Sequence, residues 1–253
     1  MYSKRILTAL LISLSSFAQA DSVGIEVGAY QWTPDYKGTV SVDDGTTTAN
    51  DLDINDDLGF TDNKHNIVWA SFEHPVPFLP NFKLVSSQLD TSASSTLNRN
   101  ITFGNESFSA SEAITTQFDM SNVEYTLYYE LLDNWINLDA GLTFRQYDGE
   151  VAVQSNTNTT VNEKEVLDFT IPLVYLKGRV DLPLTGFFVD GVINIIDYDG
   201  NSLSDTAFAV GYESEIGLGG KAGYRTFNMD VEESDFTSDL KFKGAYVSVF
   251  FHF

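Results

Sequence analysis

The chain of 253 residues contains no cysteine, only three histidines and only 14 lysines and arginines. Without cysteine no disulfide can form, so a domain in an oxidising compartment would need another source of stability. The 36 acidic residues leave a formal net charge of -22 at pH 7, which argues against nucleic acid and polyanionic ligands as partners. No run of 18 apolar residues occurs, which excludes a transmembrane helix.

The first twenty residues have the layout of a secretory signal peptide. Lys4 and Arg5 form a positive start, residues 6–17 form an apolar core, and residues 18–20 give an Ala-x-Ala cleavage site. The core is too short to cross about 30 Å of hydrocarbon. We therefore expect residues 1–20 to be removed after Sec export, which would take the net charge from -22 to -24 and leave residues 21–253 as one domain.

What the chain does contain is a repeated alternation of apolar and polar residues, clearest at the C-terminus. Within residues 241–253, the positions of one parity are all apolar from 245 to 253 and the other parity is mixed, as expected for a strand between lipid and a polar lumen. The apolar parity comprises Ala245, Val247, Val249, Phe251 and Phe253. We interpret Phe251 and the closing Phe253 as the signal that outer-membrane assembly machinery recognises.

The same period of two predicts ten strands. Beside the last strand, the clear segments are 22–32, 122–131, 136–145 and 215–225. Weaker segments lie at 65–74, 81–91, 165–180, 186–197 and 205–213. An even number is typical of single-chain outer-membrane barrels. Eight strands remain an alternative if residues 198–230 form one connection, and Pro172 predicts a bulge in its strand.

The connections between these segments alternate in length. The short ones are 74–80, 132–134, 182–186 and 213–215, and the long polar ones are 33–64, 92–115, 148–164, 198–204 and 229–241. This is the pattern of short periplasmic turns and long outer loops. The sequence therefore predicts an all-β protein, a closed antiparallel transmembrane β-barrel of the outer membrane with long acidic outer loops.

Residues 73–81, Glu-His-Pro-Val-Pro-Phe-Leu-Pro-Asn, carry a resemblance to a family of small Gram-negative outer-membrane β-barrel proteins without an established role. Residues 30–32 (Tyr-Gln-Trp), 57–60 (Asp-Leu-Gly-Phe) and 223–225 (Gly-Tyr-Arg) resemble the same family, as does Phe253. The resemblance spans most of the mature chain. It implies the fold and the location, and it brings no activity or catalytic residues.

Strand parity places a set of charges inside the barrel, where they must be paired or hydrated. The predicted lumen residues are Glu26, Glu124, Glu130, Asp139, Asp190, Glu213, Arg145, Lys221 and Arg225. Arg145 and Arg225 are the predicted hubs, because a planar guanidinium can bridge two carboxylates. Two alternatives follow: the charges interlock and plug the barrel, or they line a narrow water-filled path that favours cations.

The sequence offers little for catalysis. His74 and His252 lie at the predicted periplasmic end, and His65, near Ser71, is interpreted as a rim residue rather than the base of a triad. Asp51, Asp53 and Asn55 are spaced like calcium ligands, but Asp56 stands where an EF-hand loop requires glycine. We therefore predict no catalytic residue, no cofactor and no metal, with these three as weak metal candidates.

These observations predict a monomeric, non-enzymatic barrel of the envelope or cell surface with a largely plugged lumen. The alternatives are a narrow passive pore for small solutes or cations and, less favoured, an enzyme acting on outer-leaflet lipid. The expected partners are outer-membrane lipid, lipopolysaccharide and the barrel assembly machinery, with no nucleic acid. Lys241 and Lys243 face lipid near the outer rim, where they could meet lipopolysaccharide phosphates or reach up to water.

Overall fold

The computed structural model describes residues 23–43, 50–232 and 236–253, and the predicted signal peptide lies outside them. No helix among the described residues is long and apolar enough to cross a membrane. The strands are β1 (Gly24–Val42), β2 (Leu52–Asp53), β3 (His65–Glu73), β4 (Asn81–Gln88), β5 (Asp90–Thr96), β6 (Ile101–Phe103), β7 (Glu106–Phe108), β8 (Ala113–Asp119), β9 (Asn122–Leu132), β10 (Ile136–Ser155), β11 (Asn162–Asp181), β12 (Phe187–Tyr198), β13 (Asn201–Glu213), β14 (Leu218–Glu232) and β15 (Phe236–His252).

Ten of these strands close an antiparallel barrel in the order β1, β3, β4, β9, β10, β11, β12, β13, β14 and β15. The first and last strands pair along their whole length, from Glu26 opposite His252 to Val42 opposite Phe236. The predicted fold class and ten-strand count are confirmed. The eight-strand alternative is wrong, because β13 and β14 are separate strands that pair from Ser202–Asp230 to Glu213–Gly219.

The strands extend further at the outer end than the sequence predicted. A membrane strand needs about 9–11 residues, whereas β10 and β11 each have 20 and β1 has 19. Residues 148–164, predicted as one loop, are mostly the ends of β10 and β11. These two strand ends pair because inward and outward side chains continue to alternate along them, and the inward Val151 and Val153 are fully buried inside the barrel.

The predicted outer loop 92–115 contains additional strands. Strands β5 and β8 pair with each other, and β8 continues the wall by pairing with the outer part of β10. Between them β6 and β7 form a separate two-stranded hairpin. At the opposite end of the barrel, short turns connect the strands as predicted, and this end is called the periplasmic end below.

An exposed apolar belt surrounds the periplasmic half of the barrel. It includes Val27, Val68, Leu127, Leu142, Val174, Ile193, Phe208, Tyr224 and Val249. Beyond this belt the outward side chains become polar, as at Gln31, Asn66 and Gln146. An apolar outer band of this kind matches the hydrocarbon layer of a membrane, so the longer outer half of the barrel stands in water.

The bulge predicted at Pro172 is not present. Pro172 pairs with Phe144 in an unbroken register between β10 and β11. The pairing of β11 with β12 stops at Val174, so within the described part of the chain the proline has a neighbouring strand on one side only, where a missing N–H is tolerated. An irregularity lies instead between β9 and β10, where the register shifts between Leu138 and Asp139.

Two glycines in the barrel wall provide a matched test of this geometry. Gly38 has a φ of +124°, and a Cβ there would lie 1.9 Å from the carbonyl oxygen of Asp239 in β15. Gly178 has nothing within 4 Å of such a Cβ. We expect Gly38→Ala to destabilise the barrel by about 1–3 kcal/mol because it adds both backbone strain and a clash. Gly178→Ala should change stability by less than about 0.5 kcal/mol.

Urea unfolding of the two variants in lipid vesicles measures the difference. Equal midpoints for Gly38→Ala and the wild type would contradict the close approach of β1 and β15 at this point.

Candidate functional site

The outer half of the lumen is filled by an apolar core, which we call the outer core. Trp32, Tyr36, Phe118, Phe227 and Phe242 all point inward and are at most 4% exposed. The ring of Phe242 is central, with centroids 4.9 Å from Tyr36, 5.6 Å from Phe227 and 6.0 Å from Phe118. Aromatic rings at these distances are in packing contact. The outer core therefore closes the barrel in the way that the interior of a soluble barrel is closed.

Two segments cover the outer core from outside. Residues 50–64 include β2 and bury Leu52, Leu58 and Phe60. The β6–β7 hairpin buries Phe103 and Phe108. The hairpin is anchored to β1 and to the first segment, since the N–H of Gly104 donates to the carbonyl of Val42 at 3.0 Å and the N–H of Thr102 donates to Asn50 Oδ1 at 2.8 Å.

The weak calcium candidates lie in the first covering segment, and their oxygens are used within its turn. The Oδ1 atom of Asp53 accepts the N–H groups of Asn55 and Asp56, both at 2.8 Å. The carbonyl oxygen of Asp51 accepts Arg99 Nη2 at 2.7 Å. Within the described residues no group of three or more histidines, cysteines and acids could hold a metal ion. The arrangement is that of a folded turn.

An ion pair fixes the turn to the neighbouring segment. Arg99 Nη2 lies 2.6 Å from Oδ2 of Asp57, and the hydrogen bond to this carboxylate raises the pKa of Arg99. Nearby, Glu112 accepts the hydroxyl of Ser155 and the N–H of Ser109, and these bonds lower the pKa of Glu112. The first contact fixes the covering turn to residue 99, and the second fixes residues 109–112 to β10.

Below the outer core, four charged side chains form what we call the arginine layer: Glu124, Arg145, Asp205 and Arg225. Arg145 Nη2 lies 2.8 Å from Glu124 Oε1 and 2.6 Å from Asp205 Oδ2. Arg225 donates to both oxygens of Asp205, from Nε at 2.9 Å and from Nη2 at 2.6 Å. All four residues are at most 6% exposed. Two cations and two anions make the layer neutral.

Neighbouring rings complete the arginine layer. Arg225 Nη1 donates to the hydroxyl of Tyr30 at 2.8 Å, and the Arg225 guanidinium lies 4.5 Å from the ring centre of Trp32. Arg145 Nη1 is 3.5 Å from the hydroxyl of Tyr147. Stacking of this kind suits a guanidinium, which is weakly hydrated and planar. The layer is therefore joined directly to the outer core.

Sequence reasoning chose both arginines and Glu124 but missed Asp205, the residue that joins them. The alternation predicts a strand from Asp205 to Glu213, which puts Asp205 at its end, whereas β13 begins at Asn201. Asp205 has the same parity as Glu213, which the alternation places inside. That parity was the signal that could have found it.

The remaining predicted lumen charges lie nearer the periplasmic end and form separate pairs. Lys221 Nζ is 2.5 Å from Asp190, and Asp139 is 3.3 Å from Lys177, a partner that the sequence did not suggest. Glu213 contacts Arg179 at 2.7 Å and His252 at 3.2 Å.

Glu26 and Glu130 line a cavity of about 780 Å³ at the periplasmic end. Residues of three of the short turns, His74, Asp133 and Ser214, also line this cavity. It is therefore a vestibule on the periplasmic side of the arginine layer.

None of the three histidines lies at the outer surface: His65 is enclosed in the barrel, and His74 and His252 lie at the periplasmic end. His65, interpreted as a rim residue, is instead buried inside the barrel, because β1 and the covering segment extend above it. Its Nε2 contacts the hydroxyl of Tyr36, and its Nδ1 lies 3.1 Å from the carbonyl of Gln88. His74 is held in its turn, with Nε2 3.2 Å from the carbonyl of Pro80.

The barrel is similar to solved structures of outer-membrane proteins. The outer-membrane protease OmpT of Escherichia coli matches with a TM-score of 0.53 and 10% identity, over 95% of this chain and 100% of its own. The translocator domain of the autotransporter NalP from Neisseria meningitidis matches at 0.40 and 13%, over 99% and 94%. A FadL homologue of Pseudomonas aeruginosa matches at 0.37 and 10%, over 92% and 90%.

The closed sheet and the likeness to OmpT define the class: the protein is a closed ten-stranded antiparallel β-barrel with the fold of outer-membrane barrels. At these identities the likeness concerns the fold alone. No protein-family model matches the chain, and no curated protein matches it. The family resemblance at residues 73–81 therefore has no further support and stays a prediction.

The arginine layer makes a prediction about stability. Arg145→Ala would leave Glu124 without its cation in a buried position, and breaking such a pair costs about 3–5 kcal/mol. Adding Glu124→Gln to the same chain should restore part of this loss, because the unpaired charge is removed. Unfolding of the two variants by urea in vesicles measures both effects.

The control is Lys164→Ala, which removes an exposed ion pair with Glu150 and should cost less than about 1 kcal/mol. If Arg145→Ala were as stable as this control, the arginine layer would have no structural role.

Proposed function

We propose that the protein is a non-enzymatic outer-membrane barrel whose lumen is closed, acting in the envelope or at the cell surface rather than in transport. The observation that carries this proposal is that two packed layers close the lumen one after the other. The outer core lies nearer the outer end, and the arginine layer lies beneath it. A solute coming from the periplasmic cavity would have to pass both. Its location in the outer membrane and its export by a cleaved signal peptide belong to the same proposal.

A passive pore is the alternative, and the packing argues against it. Small barrels of about eight strands have interiors that side chains can fill, and ten strands are only modestly wider. Here Arg145 is 1% exposed and Phe242 is 3% exposed. A continuous water path past these residues would require both layers to move.

An enzyme acting on outer-leaflet lipid has little support. A serine nucleophile needs a base, usually histidine. Of the three histidines in the sequence, His65 is enclosed and His74 and His252 lie at the periplasmic end. The protease activity named for OmpT belongs to that protein, and an identity of 10% gives no reason to transfer it.

The partners that we propose follow from the surface. Above the apolar belt, Lys37 and Lys241 are opposite each other on neighbouring strands and both are exposed, while Lys243 is half-buried beside them. Cations at this level suit the phosphates of lipopolysaccharide. Phe253 is 68% exposed at the end of the last strand, as a recognition signal for the assembly machinery needs to be. We propose that the barrel is a monomer.

Planar-bilayer conductance tests the closed lumen. We expect no steady current from the wild type. Arg225→Ala should also be silent, because the outer core remains in place when the arginine layer is weakened. The triple variant Arg225→Ala, Phe227→Ala and Phe242→Ala opens both layers and should give current.

Current from the triple variant would also show that the assay detects protein inserted in the bilayer. A folded band on unheated gels checks that the triple variant keeps its barrel structure. Steady cation-selective current from the wild type would overturn the proposal and favour the pore.

A further inference from the structure

The barrel wall has a gap between β11 and β12 in its outer half. Strand β11 pairs with β10 from Val180 to Asn162 without interruption. Its pairing with β12 covers only residues 174–181 and ends where Val174 is opposite Ile195. Beyond this point β12 continues to Tyr198, bonded only to β13. The two strands therefore separate, and among the described residues no strand pairs with β11 on this side over residues 162–173.

Behind the gap lies a pocket of about 400 Å³, which we call the wall pocket. Its lining is almost entirely apolar and is contributed by strands on both sides of the gap. The apolar residues are Phe169, Ile171, Ile196, Tyr198, Leu203, Met229, Val231 and Phe236. This volume lies within the range of small-molecule sites, about 300–1,000 Å³.

The parity of these residues shows that the gap exposes the interior. Phe169 and Ile171 have the same inward parity as Leu173, which is 1% exposed. In a complete wall they would be equally buried, yet both are only half-buried, as is Ile196 across the gap. One side of each still packs against the outer core. The wall pocket is thus a sideways opening to an apolar interior.

The position of the gap determines what can reach it. Val174 and Ile195, at the lower end of the gap, face outward and are exposed apolar residues at the upper edge of the belt. Tyr198, at the upper end, is 75% exposed, and exposed tyrosines are typical of a membrane interface. The wall pocket therefore opens at the boundary between the acyl chains and the headgroups of the outer leaflet.

The charge around the opening selects against anions. Asp168, Asp197, Asp199 and Asp230 are exposed on the strands that border it. No lysine, arginine or histidine lines the wall pocket among the described residues. A fatty-acid carboxylate or a lipid phosphate would be repelled by the charge of these aspartates. Ser202 and Asn201 are the polar residues of the lining, and they suit an uncharged hydroxyl.

We propose that the wall pocket binds one uncharged single-chain amphiphile from the outer leaflet, with its alkyl chain against Ile171 and Leu203 and its hydroxyl end beside Ser202. This proposal does not depend on whether the lumen conducts, since the wall pocket opens sideways.

Because the chain has no cysteine, a single introduced thiol reports on the wall pocket. Ile171→Cys places the thiol inside it, and Thr170→Cys, on the adjacent outward position, is the matched control. The refolded full-length variants are labelled with N-ethylmaleimide with and without 1-dodecanol. At ten times its dissociation constant the alcohol leaves about one site in eleven free, so labelling of Ile171→Cys should slow about tenfold. Thr170→Cys should label at an unchanged rate.

Laurate, which has the same chain length and an anionic end, should protect Ile171→Cys less than 1-dodecanol does. Ile196→Cys with Asp197→Cys as its control repeats the test from the other side of the gap, in case one variant folds poorly.

Three results would overturn the proposal. The first is a thiol at residue 171 or 196 that does not react with N-ethylmaleimide in the absence of ligand. A thiol whose reactivity falls as the protein concentration rises counts as the same result, because it would show that a second copy of the chain covers the gap. The second is equal slowing of pocket and control thiols. The third is better protection by laurate than by 1-dodecanol.

Discussion

The contact on which the interior depends is the carboxylate of Asp205 between two arginines. Asp205 alone receives three hydrogen bonds, two from Arg225 and one from Arg145. Buried charges are stable only when they are paired and hydrogen-bonded. Since the four residues of the arginine layer belong to β9, β10, β13 and β14, the layer joins distant parts of the barrel wall. It also contacts the outer core, because Arg225 lies against Trp32.

The solvent around the barrel explains why the two halves of the lumen differ. In the membrane half the outside is apolar and the inside can be polar, as Val247 outside and Ser248 inside illustrate on β15. In the outer half water surrounds the wall, so the pattern reverses on the same strand: Lys241 is exposed outside and Phe242 is buried inside. The exchange of apolar and polar faces marks the membrane boundary. The outer core follows from it, because a wall surrounded by water needs an apolar interior.

This reversal also determines how much of the structure could be predicted from the sequence. The membrane strands were predictable because their outward faces are continuously apolar, and the ten-strand count was correct. The outer ends, such as residues 148–164, have the composition of polar loops because most of their outward residues are charged or polar, as Asp148, Glu150 and Gln154 are. Asp205 was missed at one such end. The outer core could not be predicted, because it brings together β1, β8, β14 and β15, whose contacts depend on barrel closure rather than on local pattern.

Unequal hairpin heights explain why the wall is complete on one side and open on the other. Asp199 and Gly200 both have positive φ, 53° and 85°, as in the two-residue turns that reverse a chain most tightly. This turn ends β12 at Tyr198, only three residues beyond its last pair with β11. The hairpin of β10 and β11 continues instead to the pair Gln154–Asn162. A taller hairpin beside a shorter one must leave part of its edge unpaired. The position of this Asp-Gly turn therefore leaves β11 without a partner strand above the level of Tyr198, and the separation of the two strands from Ile195 onward widens the opening.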